Sequence, residues 1–488
     1  MKHQSLPSFF SMPKTTPFPT LSLLDWLIPV LVFFLLSRTP ADADMWWHLR
    51  AGKEMWENQQ ILLTDTFSYT QAGNPWVNAF WLAEILLYGI YQLGGFLGLS
   101  LFVACMAALT FGVLYFRVRQ QAPWSGALIT LLAAITAAPV WGPRPQLFSF
   151  LLLTILDLLL AHPNHHLLRR VIMIGLLFAL WANLHGGWIW GILLLIAHLA
   201  GHLFESLQTQ SISRSTIFRL LQQSAILLTA GLAVGLNPNG LWLWRLPFHT
   251  VNVSMQIQEW LSPDFHRVDF HPMLWMLFLL LGSLNFGKER LQWAELFKII
   301  GFVYLTFVAQ RNIAPFAIVT APVLARTTHS AFQTLGLYFL TAQPVRRPVN
   351  TIFNALLVLV LLGLALFRLH LLSTPALVEK DYPAKAVAWL KTQSFSGPLF
   401  NSYNWGGYLT WSLPEMPVYI DGRADLYGEA MLREWHAIVG GTPHGLTALE
   451  KRQIKVILLE PTWPVVRLLP TQGWSEVYRD ETAVIFVR

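Results

Sequence analysis

The chain has 488 residues, of which 54% are apolar, 14% aromatic and only 12% charged. An ordinary soluble domain carries about 25% charged residues, so this composition excludes a solvated globule or a disordered chain and points to a polytopic membrane protein. The formal balance is 33 − 26 = +7, and the single cysteine, Cys105, lies in an apolar run, which excludes a disulfide framework and a cysteine-based metal site.

Residues 1–20 are polar and rich in Pro, Ser and Thr, without the apolar core or small-residue cleavage site of a signal peptide. They read as a cytoplasmic N-terminal segment. Eleven apolar runs long enough to span a bilayer follow, near 21–37, 96–116, 124–140, 145–161, 170–183, 187–204, 217–236, 272–286, 294–309, 312–326 and 350–371. A shorter run, 80–93, is closed by Gly94-Gly95 and is expected to lie on the membrane surface within a first outer loop, 38–95. With that assignment thirteen Lys and Arg fall inside and seven outside, in doublets at alternate loops. The N-terminus is then cytoplasmic and everything after residue 372 extracytoplasmic, on a multi-pass protein of the plasma (inner) membrane. The expected domains are a transmembrane domain over 21–372 and an extracytoplasmic domain over 373–488.

In the tail, charged residues return and short mixed segments replace the long runs. A helix at 383–393, strands near Leu399 and at 418–420, helices near 427–438 and 443–452, a strand at 454–459 and a final pair at 475–479 and 483–487 predict a small α/β domain with a mainly parallel sheet and an antiparallel edge.

In a chain so poor in charge, the placement of polar residues is the functional signal. The middles of the runs are nearly free of charge. The unusual residues sit at outer ends: Asp42-Ala-Asp44-Met-Trp-Trp-His48-Leu-Arg50, Arg144-Pro-Gln146, Asn183-Leu-His185-Gly-Gly, Asn237-Pro-Asn239-Gly, Glu259-Trp260 and Arg311-Asn312. Two carboxylates two apart suit a general base or a divalent-metal ligand such as would hold Mg or Mn. Equally, Asp44 suits the N-cap of a helix through Trp56, with Asp42 solvated and Trp46, Trp47 and Trp56 at headgroup level. Arg144 and Arg311 are isolated outer arginines that suit phosphate binding, or snorkelling to headgroups. His48 and His185 suit phosphate or metal contact, or a structural role.

This pattern resembles the GT-C superfamily of integral-membrane glycosyltransferases, in which an acidic motif opens a long first outer loop and surface helices precede the second span. Over essentially the whole chain it is similar to a bacterial set within that group that reads Asp-x-Asp-x-Trp-Trp-His-Leu, then Arg-Pro-Gln, Asn-Leu-His-Gly-Gly, Asn-Pro-x-Gly, Arg-Asn/His and a Gly-Gly-Tyr…Asp-Gly-Arg tail. The resemblance implies an α-helical polytopic membrane protein with a small C-terminal α/β domain. It also implies transfer of a sugar, with inversion, from a polyprenyl-phosphate-linked donor to a glycan, lipid or protein acceptor. Membrane lipids are expected partners and nucleic acid is not. Asp44 and Asp42 then take the catalytic position, and Arg144 and Arg311 the donor phosphate, with His48, Arg50 and His185 behind them. In the tail, Asn401-Ser-Tyr-Asn404-Trp405-Gly-Gly-Tyr408 is loosely similar to the Trp-Trp-Asp-Tyr-Gly acceptor-reading segment of oligosaccharyltransferases. With Asp421 and Arg423 it supplies acceptor-binding candidates, although Asn404 replaces the aspartate. The alternative is that Asp421 and Arg423 pair inside the fold. The Asp-Glu pair of the mannosyltransferase branch is absent, and no second acidic motif lies near Arg144. A lipid-headgroup or polyprenyl-lipid transporter and a non-catalytic membrane scaffold are the competing readings. The transporter predicts polar residues through both leaflets.

Overall fold

A computed structural model describes residues 23–119, 122–161, 166–208, 213–248, 257–340 and 348–488; the N-terminal segment 1–20 and the Arg346-Arg347 doublet lie outside these. A helix occupies each of the eleven apolar runs. Helix α1 (Leu23–Leu35) is followed by α2 (Ala43–Asn58), inside the first long loop, and by α3 (Trp81–Val118). Then come α4 (Pro123–Ala137), α5 (Gln146–Ala161), α6 (Leu167–Leu184), α7 (Trp188–Gln208) and α8 (Arg214–Ala233). The bundle closes with α9 (His271–Phe286), α10 (Trp293–Val308), α11 (Ile313–Thr334) and α12 (Pro348–Leu372). Among the described residues, seven helices are long and apolar enough to cross a membrane.

Helix α3 is two helices joined at Gly95, whose φ of 55° and ψ of −144° leave helical space. The bend is sharp: a Cβ on Gly98 would stand 2.8 Å from the Ile90 carbonyl oxygen, whereas residues eight apart in a straight helix are about 12 Å apart. The segment before the bend packs flush on α2, where a Cβ on Gly52 would stand 2.1 Å from the Glu84 carbonyl oxygen.

Helix α11 is buried over most of its length, and Ala317, Ala321 and Ala325 repeat every fourth residue, which lets neighbouring backbones approach. At the end of the bundle away from the tail, Arg119 pairs with Asp25 at 2.5 Å, and Asp157 takes Lys298 at 3.3 Å together with Arg117. These charges are thus matched with one another across helices.

The tail contains α13 (Pro375–Val378), α14 (Ala384–Leu390), α15 (Tyr403–Ser412), α16 (Ala424–Val439), α17 (Pro443–Lys451) and α18 (Pro464–Leu468). Its strands β1 (Leu399–Asn401), β2 (Val456–Leu459), β3 (Ser475–Arg479) and β4 (Val484–Val487) form one sheet in the order β1-β2-β4-β3. Only β1 and β2 run parallel; the two other pairings are antiparallel, because β3 and β4 form a hairpin added beside β2. The sheet is therefore mixed, as expected, but its antiparallel part is more than an edge and makes two of the three pairings, in correction of the mainly parallel expectation. The expected strand at 418–420 is outside the sheet. Val418 instead pairs with the first outer loop, donating to the Phe67 carbonyl at 3.1 Å and accepting from Tyr69 N at 3.2 Å.

Side chains of the central strands alternate between two apolar clusters, as the period of two requires. Phe400, Ile457, Val484 and Phe486 pack with Trp435 and Val465 of the tail's own helices. Leu399, Val456, Leu458 and Ile485 share the other cluster with Met45, Trp46 and Leu49 of α2. One face of the sheet belongs to a core built jointly with α2, on which the tail is seated by apolar burial.

Candidate active site

Helix α2 begins at Asp42, whose extended backbone (φ −154°) lets its Oδ1 accept from Asp44 N at 2.9 Å. The cap is thus Asp42, not Asp44. Asp44 stands one step inside the first turn, with its carboxylate free to reach across. Trp46 and Trp47 are buried under the tail rather than at headgroup level, and only Trp56 is exposed.

The Trp141–Pro145 turn between α4 and α5 delivers Arg144 to this carboxylate. Arg38 Nη1 donates to the carbonyls of Ala138 and Trp141 at 2.7 Å each, and Gln146 Nε2 donates to the Val140 carbonyl at 2.6 Å, which fixes the turn from both sides. Arg144 then meets three carboxylates: Asp42 Oδ2 at 3.2 Å, Asp44 Oδ2 at 2.8 Å and Glu259 Oε1 at 2.6 Å. Gly142 leaves space for this, since a Cβ there would stand 2.7 Å from Asp42 Oδ2. Glu259 lies in a 3-10 turn, Gln258–Trp260, whose neighbour Trp260 carries the Arg311 guanidinium on its ring at 4.4 Å. A backbone tie holds this turn to the Gln310–Asn312 turn, Gln310 N donating to the Leu261 carbonyl at 2.9 Å, and α7 anchors the second turn, Trp190 Nε1 donating to Asn312 Oδ1 at 2.9 Å. Among the described residues no carboxylate lies within ion-pair distance of Arg311. It is thus set apart from Arg144, which faces three carboxylates.

Burial raises the Asp42 carboxyl to about 6 and also raises Asp44, with Arg144 opposing both. Burial also acts on Glu259, but Arg144 and Arg311 together hold it below the usual carboxylate range. The site thus combines carboxylates made more basic by burial with a guanidinium that keeps them ionised and aligned. Asp42, Asp44 and Glu259 face inward on Arg144, so a divalent ion at Asp42 and Asp44 would have to displace that guanidinium. Among the described residues no group of three or more His, Cys, Asp and Glu is placed to hold a metal.

His48 and His185 border the cluster and are engaged through one nitrogen each. His48 Nδ1 meets Glu84 Oε1 at 2.9 Å, and Asn78 Nδ2 donates to Glu84 Oε2 at 2.8 Å; all three residues are buried. His185 Nδ1 accepts from Gly187 N at 2.9 Å and meets Ser149 Oγ at 2.7 Å. Burial holds both imidazoles well below their ordinary range, and nearby Arg144 pushes the same way. Both are neutral at physiological pH. Arg50 is elsewhere: half-buried, it pairs with Glu54 at 3.3 Å and lies over the Phe67 ring at 5.6 Å.

The tail candidates divide. Asn404 is exposed on the first turn of α15. Trp405 and Tyr408 are core residues: Trp405 Nε1 donates to the Asp381 carbonyl at 3.2 Å, and Tyr408 stacks on Tyr382 and meets Trp46 edge-on. Asp421 and Arg423 are 0% and 1% exposed, joined by a two-point contact at 2.9 and 2.6 Å. Arg423 also reaches Asp65 Oδ1 at 2.7 Å. No acceptor can touch a pair so enclosed; its place is inside the fold.

The sequence singled out Glu259 without giving it a role, and gave no role to Tyr403. Tyr403, half-buried on α15, donates to the Gly422 carbonyl at 3.5 Å; burial chiefly, with Asp44 and Glu259 nearby, raises its hydroxyl well above its ordinary range. Glu259 had one usable signal, an acidic residue beside tryptophan in an outer loop.

No protein-family model and no curated protein matches the chain. Solved structures do. Archaeal oligosaccharyltransferase AglB from Archaeoglobus fulgidus, in complex with an inhibitory peptide and a dolichol-phosphate, is similar at TM-score 0.55 and 13% identity, over 90% of this chain and 69% of that one. The Archaeoglobus fulgidus oligosaccharyltransferase in the apo form gives TM-score 0.54 and 14% identity, over 91% and 70%. ArnT from Cupriavidus metallidurans in the apo state gives TM-score 0.50 and 16% identity, over 95% and 97%. The fold is GT-C-like along almost the whole chain.

Proposed function

We propose that the protein is a membrane glycosyltransferase that moves a sugar from a polyprenyl-phosphate-linked donor to an acceptor on the extracytoplasmic face. The observation that carries this reading is the cluster itself: Asp44, Asp42 and Glu259 gathered by Arg144, with Arg311 beside them, at the tail-facing end of the bundle. A GT-C-like neighbour holding dolichol-phosphate, itself a polyprenyl phosphate, supports the donor class.

In this reading Asp44 accepts the proton of the acceptor group as that group bonds to the anomeric carbon. The bond from that carbon to the phosphate oxygen breaks, and the electron pair leaves with the polyprenyl phosphate. Attack from the face opposite the phosphate inverts the anomeric centre. Arg311, lacking a carboxylate partner, meets the departing phosphate. Arg144 keeps Asp44 ionised and aimed while its own charge is shared among three carboxylates. His185 borders both arginines and, with Nδ1 occupied, has Nε2 left to donate. The test is mass spectrometry of polyprenyl lipids and glycans from a strain lacking the protein. The reading expects one polyprenyl-linked sugar to accumulate and one sugar to vanish from an acceptor. Unchanged lipids and glycans would refute it.

A further inference from the structure

The tightest approach at the site is made by a residue of the tail with no side chain. A Cβ on Gly422 would stand 2.1 Å from Asp44 Oδ1 and 2.9 Å from Trp47 Nε1. These two atoms are themselves hydrogen-bonded, Trp47 Nε1 donating to Asp44 Oδ1 at 3.0 Å. The Gly422 backbone is outside the left-handed region, so alanine is conformationally acceptable there. The demand for glycine is therefore one of space, imposed by the carboxylate.

The peptide carrying Gly422 is clamped from both sides. Asp421 Oδ1 accepts from Arg423 N at 3.0 Å and from Arg423 Nε at 2.9 Å, and its Oδ2 accepts from Tyr427 OH at 2.9 Å. The guanidinium lies over the Phe67 and Trp76 rings at 4.6 and 4.9 Å and pairs with Asp65. Asp65 in turn accepts from Phe67 N, Ser68 N and Ser68 Oγ at 3.1, 3.2 and 2.6 Å. A second contact fixes the helix: a Cβ on Gly407 would stand 2.7 Å from the Ala43 carbonyl oxygen. Tail and first outer loop therefore meet in one register at Asp44.

We infer that Gly422, held by the Asp421–Arg423–Asp65 clamp, is a positioning residue that sets where the Asp44 carboxylate stands. Its backbone closes the space beside Oδ1, leaving the carboxylate only the orientation that meets Trp47 and Arg144. The tail thus serves the reacting carboxylate directly. This rests on the reading of Asp44 as the base. Gly422→Ala isolates the effect, because the atom that would be struck is the far end of a side chain. The cheapest adjustment is rotation of the Asp44 carboxylate away from Trp47 Nε1 and Arg144, with the tail still seated.

The experiment compares Gly422→Ala, Trp47→Phe and Asp44→Asn in full-length protein. It measures product formed in isolated membranes from the cell's own donor and acceptor, and undecaprenyl-phosphate binding and melting temperature of the purified proteins. Gly422→Ala should bind undecaprenyl phosphate and melt like the wild type while product per folded molecule falls about 10²-fold, the scale of a misplacement near 1 Å. Trp47→Phe, which removes the donor without adding bulk, should give a smaller loss of the same kind. It carries the test if Gly422→Ala does not fold. Wild-type turnover by Gly422→Ala, or by Trp47→Phe in its place, overturns the inference, as does a loss of binding and melting temperature in step with turnover. Asp44→Asn keeps the two ideas apart: if it is inactive while Gly422→Ala is normal, the positioning idea alone fails, and if it is active the base assignment fails.

Discussion

Arg144 and Asp44 lie 100 residues apart in the chain and 2.8 Å apart in the fold. The turn before α5 thereby delivers its arginine onto the first turn of α2. Among the residues expected to meet a donor phosphate, this contact separates Arg144, which holds carboxylates, from Arg311, which holds none among the described residues.

The two arginines should therefore respond differently. Arg311→Ala removes a contact worth about 1.5–3 kcal/mol to a phosphate, and undecaprenyl-phosphate affinity should fall by roughly 10–100-fold with the melting temperature little changed. Arg144→Ala leaves three carboxylates facing one another, so it should lower the melting temperature as well as activity. Equal loss of affinity with equal loss of stability in both variants would contradict this division.

Buried carboxylates also make Arg423 indispensable to the tail. Arg423→Met strands Asp65 and Asp421, both buried, and breaking a buried pair in this way costs about 3–5 kcal/mol. Thermal unfolding and protease sensitivity of the tail should show it. A variant as stable as the wild type would mean that the clamp is dispensable.

Glu84, on the part of α3 that precedes Gly95, gives a pH signature. Burial pushes its carboxyl up to about 8, with Asn78 and Arg423 opposing, so the fold favours the neutral acid. A folded-state value above the unfolded one contributes stability that is complete below the unfolded value and lost as pH rises through the folded value. Melting temperature should accordingly decline between pH about 5 and about 9, and Glu84→Gln should flatten that decline. A steeper alkaline decline in Glu84→Gln would refute the assignment.

Much of this was legible before any coordinates. Each of the eleven apolar runs holds a helix because length and apolarity act locally, and Gly94-Gly95 marked the bend because glycine alone tolerates Gly95's backbone. Asp42, Asp44, Arg144 and Arg311 stood out because so few charges surround them. What stayed hidden depends on partners distant in the chain. The pairing of Asp421 with Arg423 was one of two readings open from the sequence, but the part of Asp65 in the clamp was not legible, nor was the cover that α2 places over Trp405 and Tyr408, two of the acceptor candidates. Which aspartate caps α2 turned on one backbone angle, and Glu259 joined the site through a turn that packs on another turn.

Orientation is open to direct labelling. With Cys105 replaced by alanine, Gln472→Cys puts a thiol on an exposed part of the tail. An impermeant maleimide should modify it on intact cells or spheroplasts. Modification only after lysis would place the tail in the cytoplasm and overturn the extracytoplasmic reaction.

The most direct test of the account is Asp44→Asn. Asp42 caps the helix, and Asp42 and Glu259 still partner Arg144, so the variant should insert and accumulate like the wild type. Removal of a positioned base typically costs about 10²–10⁴-fold, or about 3–5 kcal/mol on the barrier. In the strain lacking the native protein, the variant should leave the polyprenyl-linked donor accumulated and the acceptor without its sugar, at normal protein levels. Wild-type restoration of the glycan by Asp44→Asn would contradict the assignment of Asp44 as the catalytic carboxylate.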